Sequence, residues 1–182
     1  MVLIVLAPLA SADPDRVGPP PPDAPAQRVG LAVLAEAQAW VGAPYRWSGR
    51  DTERLPGVDC LGLLFLAHAR VTGGSWRSYP VDPHPLVASG KLGLPVAGVS
   101  AALRGEVPVG VLAPGDVLYF LLAEVPIPDE PLWTREGVRY WPWHTGLYVG
   151  GGRTLQATPG GVVEEVDLYG VSWDALNATR PR

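Results

Sequence analysis

The chain holds one cysteine and three histidines. Any thiol chemistry therefore falls to Cys60, with a base drawn from His68, His84 or His144. Hydrolysis by a thiol requires a thiolate, a base that generates it and a polar group that orients the base. Cys60 follows Asp59, a good helix N-cap, and opens the apolar run Leu61 to Leu66. A cysteine in the first turn of a helix feels the positive end of the helix dipole. Its own N–H has no partner within the helix and can donate to an oxyanion. A lone cysteine is equally a small buried hydrophobe, so its neighbours must decide between the two.

His68 would lie two turns further down the same helix, too far to reach the sulfur. His84 sits between Pro83 and Pro85 in a loop, where a solvated side chain is expected. His144 opens a strand, between Trp143 and the pair Thr145-Gly146, and is the best base by position. Gly146 is expected to let a helix pack closely on the sheet. Gln156 falls on the next strand, and its amide could fix the imidazole tautomer. If the connecting loop holds three residues, Gly151 to Arg153, His144 and Gln156 share one face. A two-residue loop puts them on opposite faces, and Gln156 is then an ordinary exposed polar residue.

The elements that must position these groups form two blocks. Helices are expected over residues 29–41, stopped by Gly42 and Pro44, and over 60–71, stopped by Gly73-Gly74. Residues 43–58 read as loop, and two short helices are expected near 84–90 and 97–104. The period then changes. Strands are expected over 116–122, 145–149, 154–158 and 161–168, with a hairpin at the glycines 150–152. Residues 123–143 read as a long loop carrying Trp133, Trp141 and Trp143. Helices followed by antiparallel strands give an α+β class.

Ahead of this domain, residues 1–12 are apolar and end in Ala-Ser-Ala, as a secretory signal does. Residues 13–28 form a Pro-rich linker, and the domain is expected over 29–182. Export to the periplasm or cell envelope follows if the segment is a signal; otherwise the protein is cytoplasmic. The apolar segment is shorter than the roughly 20 residues of a membrane span, so no stable membrane insertion is expected.

A hydrophobic fraction of 47% with 18% charged residues supports a packed core. Net charge −4 without a basic patch argues against nucleic acid as a partner. A single cysteine excludes an internal disulfide and a thiolate zinc cluster. No metal or cofactor is called for, and a monomer is expected.

Three blocks taken in order carry a resemblance. "GAPYRWSGR…GVDCLGL" is similar to the signature loop and D-C-S-G of the NlpC/P60 cysteine peptidases. "LAPGDVLYF" resembles that family's P-G-D strand, and "HTGLYVGGGRTLQA" its H-V-G-I-Y-x-G-x-G…H-A block. The resemblance spans roughly residues 30–168. It implies a papain-like α+β core, with the nucleophile-bearing helix packed on an antiparallel sheet. Cys60 would be the nucleophile, His144 the base and Gln156 the third polar residue. Tyr45 would be the motif tyrosine beside the site, and Asp59 the residue before the nucleophile; both are assigned to substrate or oxyanion binding.

The implied reaction is cleavage of an amide in a peptidoglycan stem peptide, commonly the γ-D-glutamyl bond to a diamino acid. Two departures stand out. Leu61 replaces the motif serine, which in many cell-wall members helps bind the free amine of the stem peptide, and Ser48 replaces a glycine. The 123–143 loop is also longer than in compact members. The D-C-bulky-G-L form, the substituted motif serine and this long loop also resemble phage-tail and amidase-type relatives, whose substrate would be another small amide. An inactive envelope-binding domain is the alternative from another class.

Overall fold

The computed structural model describes residues 24–52, 55–125 and 128–182. The expected signal at 1–12 and most of the linker lie outside the described residues. The elements in chain order are α1 (Pro25–Gln38), β1 (Arg50–Thr52), β2 (Leu55–Val58), α2 (Cys60–Thr72), α3 (Pro83–Ala88), β3 (Leu94–Pro95), β4 (Ala102–Leu103), β5 (Val117–Ala123), β6 (Trp133–Arg135), β7 (Val138–Gly150), β8 (Arg153–Ala157), β9 (Val163–Asp167) and β10 (Ala175–Arg180).

Helix α1 starts at Pro25, inside the residues expected as linker, because proline suits a first helical turn. Its buried positions Gln27, Gly30, Val33, Leu34 and Ala37 recur at helical spacing and face the core. Helix α2 is capped by Asp59, whose side chain accepts from the Gly62 N–H at 2.6 Å. It ends at Gly73, whose left-handed φ of 69° glycine adopts without strain.

The main sheet is antiparallel, in the order β3-β10-β5-β7-β8-β9, with β4 added to β10 and β6 to β7. β5 lies at its centre and is buried on both faces. Val117, Tyr119 and Leu121 join α1 and α2 in one core; Leu118 and Phe120 join Leu168, Trp173 and Leu176 in a second. The alternation of strand side chains thus explains the unbroken apolar run of this strand. Among the described residues no helix is long and apolar enough to cross a membrane.

Four expectations need correction. Much of the segment 123–143, expected as loop, is strand. β6 and β7 form a hairpin around Glu136 and Gly137, both at positive φ, and β7 pairs with β5 as far as Ala123. Residues 97–104 hold no helix; Ala102 and Leu103 pair with β10 instead. The expected loop 43–58 contains the β1–β2 hairpin. Finally, β10, absent from the expectation, fills the gap between β5 and the short strands.

The P-G-D turn ahead of β5 has a packing reason. A Cβ on Gly115 would meet the Gly30 carbonyl oxygen at 2.1 Å, so only glycine lets α1 approach. Asp116 closes the turn by accepting from the Ala113 N–H at 2.8 Å, and it takes a two-pronged ion pair from Arg180.

Candidate active site

Asp59, Cys60, His144 and Thr145 line one cleft of about 370 Å³. Cys60 is brought there as the first residue of α2. The loop ahead of that helix is folded tightly against it: a Cβ on Gly62 would meet the Gly49 oxygen at 2.1 Å. Arg50 ties the two together, donating to the Gly49 carbonyl and to Oδ1 of Asp59, each at 2.7 Å. Asp59 is therefore a cap and an ion-pair partner. An ionised carboxylate has no hydrogen to offer an oxyanion.

His144 reaches the cleft through an irregularity. In the β5–β7 register Phe120 faces His144, whereas Leu121 faces Pro142. Trp143 is thus an extra residue, a bulge that re-aims the strand beside the site. The imidazole is held between the rings of Phe120 (5.8 Å between centroids, 21°) and Trp143 (5.1 Å, 31°). Trp143 is itself fixed by donation from Nε1 to the Ser172 carbonyl at 2.9 Å.

Gln156 meets His144. Oε1 of Gln156 is hydrogen-bonded to Nε2 of His144. The connecting turn holds two residues, Gly151 and Gly152, with Gly150 opposite Arg153. By itself that count would separate the two side chains. The register shifts between Tyr148 and Gly150, however, and the added residue Val149 restores the parity. Because the amide oxygen accepts, Nε2 carries the hydrogen and Nδ1 is the basic nitrogen. Gly146 serves a neighbouring strand and not a helix. A Cβ there would meet Oγ1 of Thr154 at 2.7 Å and the Leu155 oxygen at 2.9 Å, both on β8.

Burial pushes the Cys60 thiol above its ordinary value, and the negative charge of Asp59 adds to this. The Thr145 hydroxyl and the main-chain N–H groups of Thr145 and Leu61 would favour the thiolate once it forms; they work in the opposite direction and are outweighed. The helix-dipole argument had pointed to a stabilised thiolate; desolvation wins here. Burial also lowers His144 to about 4, against the Gln156 hydrogen bond. At neutral pH the resting pair is thiol and neutral imidazole. Burial raises the Tyr45 phenol, and the negative charges of Cys60 when ionised and of Asp59 add to this; Tyr45 is not among the described residues that line the cleft.

His68 and His84 take no part among the described contacts of the cleft. His68 is buried, with Nδ1 against the Tyr79 hydroxyl at 2.7 Å, and His84 is exposed. Arg50, Thr145 and Trp47 were not foreseen as cleft residues. Arg50 could have been suspected from a basic residue shortly ahead of an acidic N-cap. Thr145 had no such signal, since it neighbours His144 on a strand.

The His144 shift has a consequence for stability. The unfolded chain binds a proton at this residue near 6.5, the folded protein only near 4. Its contribution is complete above pH 6.5, is lost as pH falls towards 4, and amounts to about 3 kcal/mol. Urea melts between about pH 4 and pH 7 should show this slope in the wild type. The slope should be shallower in His144→Gln; equal slopes would assign the acid sensitivity to other groups.

No family model matches the chain. Protein P54 of Enterococcus faecium is 26% identical over 144 residues, covering 79% of this chain and 20% of its own length. The chain thus spans about a fifth of that relative. Three solved structures share the architecture. The NlpC/P60 domain of the peptidoglycan hydrolase SagA superposes with a TM-score of 0.50 at 23% identity, covering 82% of this chain and 97% of that one. RipB of Mycobacterium tuberculosis, a peptidoglycan hydrolase, gives 0.52 at 21%, covering 87% and 67%. RipD of the same organism, described as a non-catalytic NlpC/P60 domain protein adapted to peptidoglycan binding, gives 0.50 at 20%, covering 84% and 96%. The fold of this chain, with Cys60 at the head of a helix that packs on an antiparallel sheet, is that of the NlpC/P60 domains.

Proposed function

We propose that the protein is a cysteine hydrolase that cleaves an amide in peptidoglycan stem peptides, of the γ-D-glutamyl–diamino acid endopeptidase type. One observation carries this reading. Cys60 and His144 line the same cleft, and Gln156 engages Nε2 of His144, which leaves Nδ1 to act as base. RipD shares the fold and is described as non-catalytic; the cysteine, histidine and amide present together here favour turnover over binding alone.

In this mechanism Nδ1 of His144 accepts the proton from Sγ of Cys60 as the sulfur attacks the carbonyl carbon. The oxyanion is received by the Cys60 N–H, which has no acceptor within α2, and by the Tyr45 hydroxyl. His144 then returns the proton to the leaving nitrogen, and the amine departs from a thioester. Water, deprotonated by the same nitrogen, attacks the thioester. The carboxylic product leaves and the thiol is restored. Peptidoglycan as substrate places the protein in the cell envelope.

A second reading is favoured by the lining of the cleft. Trp47, 81% exposed, and Trp143, 39% exposed, stand with Leu61 around the sulfur. Among the described lining residues the one carboxylate, Asp59, is already held by Arg50. A free ammonium group would find no unpaired anion there. An amide whose neighbouring amine is blocked, as in amidase-type relatives, fits better on that side.

A panel of muropeptides and N-acyl amides, digested with and without EDTA and followed by mass spectrometry, tests both readings. A new amino terminus on the diamino acid, insensitive to EDTA, is expected. Cleavage confined to acyl amides would select the second reading. No cleavage, or cleavage abolished by EDTA, would reject the cysteine-hydrolase mechanism.

A further inference from the structure

Thr145 presents an observation that the mechanism above leaves unused. It is 5% exposed, it lines the cleft with Cys60 and His144, and its Oγ1 is buried without a hydrogen-bond partner among the described residues. A hydroxyl that gave up water on folding and gained nothing in return is costly. Such a group is tolerated where an acceptor arises during function.

We propose that the Thr145 hydroxyl is a catalytic group that donates a hydrogen bond to Sγ of Cys60 as the thiol ionises, a role that rests on the hydrolase reading. The acceptor is absent at rest because a neutral thiol is a weak partner; the thiolate is a strong one. In the step itself the proton passes from Sγ to Nδ1 of His144 and the electron pair remains on sulfur. The Thr145 O–H turns towards that sulfur and keeps its proton. The Thr145 hydroxyl and the main-chain N–H groups of Thr145 and Leu61 all favour the charged sulfur, which supports the assignment.

Several other polar groups of the cleft are otherwise engaged. Arg50 is held by Asp59 and the Gly49 carbonyl. Asp59 opposes ionisation. Nε2 of His144 is bonded to Gln156. Tyr119 stands opposite Thr145 across the sheet, and its phenol is turned to Thr179 at 3.4 Å. Tyr45 contributes a phenol from the loop ahead of β1. Thr145 is thus the one side-chain hydroxyl beside the sulfur, among the described residues, that is buried without a partner.

The test is the rate of Cys60 alkylation by iodoacetamide from about pH 6 to pH 10, in the wild type, Thr145→Val, Thr145→Ser and His144→Ala. Valine keeps the shape and removes the hydroxyl; serine keeps the hydroxyl. Thr145→Val should react about tenfold more slowly below the midpoint, with the midpoint raised by about one unit. Thr145→Ser should follow the wild type. Where valine disturbs the thermal melt, Thr145→Ala replaces it with the same expectation. A valine variant that titrates as the wild type does would overturn the proposal, and so would a serine variant slowed as much as valine. Failure of the hydrolase reading shows separately: no member of the amide panel is cleaved, whatever the alkylation profiles.

Discussion

Cys60→Ala is expected to lower turnover of any amide the protein cleaves by about 10⁵-fold to 10⁶-fold, and to change stability by only about 1 kcal/mol or less. The loss is this large because the residues act as a unit. Without the sulfur, the base held by Gln156 and Phe120 has nothing to deprotonate except water. The fold survives because the cap on α2 belongs to Asp59 and the close loop approach to Gly62; neither uses the thiol. The resting pair is neutral, since burial raises Cys60 and lowers His144 to about 4. Proton transfer must therefore accompany attack, and removing either partner should be nearly as damaging as removing both. Steady-state rates for Cys60→Ala, His144→Ala and the double variant check this. A Cys60→Ala protein that keeps more than about a hundredth of the activity would rule out covalent catalysis by this residue.

The part of the site that was legible in the sequence is the part written in local chemistry. Asp59 before an apolar helical run marks both the start of α2 and the position of Cys60. The glycines after Val149 announce a hairpin, and with it the approximate places of His144 and Gln156. What escaped depends on single-residue insertions. The bulges at Trp143 and Val149 decide where His144 points and whether Gln156 meets it. An extra residue in a strand leaves no compositional mark. The 123–143 segment misled for a related reason. Pro142 lies within β7, where proline is normally read as a break; it is accepted beside a bulge that already interrupts the ladder. Residues 97–104 carry an apolar spacing that suits a helix, yet Ala102 and Leu103 are claimed by β10, a strand arriving from the far end of the chain. Local preference yields there to a tertiary partner.

The largest expected effect on the fold lies one residue before Cys60. Asp59→Ala should destabilise the protein by about 3–5 kcal/mol, because it leaves the buried Arg50 guanidinium without its counter-charge. Loss of the N-cap contributes about 1 kcal/mol of that. Arg50 and Asp59 side chains are 9% and 10% exposed and 2.7 Å apart, so little water is at hand to replace the carboxylate. Two further variants separate the causes. Asp59→Asn keeps an acceptor for the Gly62 N–H and loses only the charge, so it should recover the cap contribution and no more. Adding Arg50→Met to Asp59→Ala removes the orphaned charge, lets an apolar chain lie against Phe65, over which Arg50 now sits at 5.4 Å, and should restore most of the loss. Urea unfolding of the four proteins checks the series. If the double variant is no more stable than Asp59→Ala, the buried charge is not the cause, and α2 depends on its cap alone. The same series bears on chemistry: in Asp59→Ala the first turn of α2 loses its anchor, so Cys60 should lose activity even under conditions where the protein remains folded.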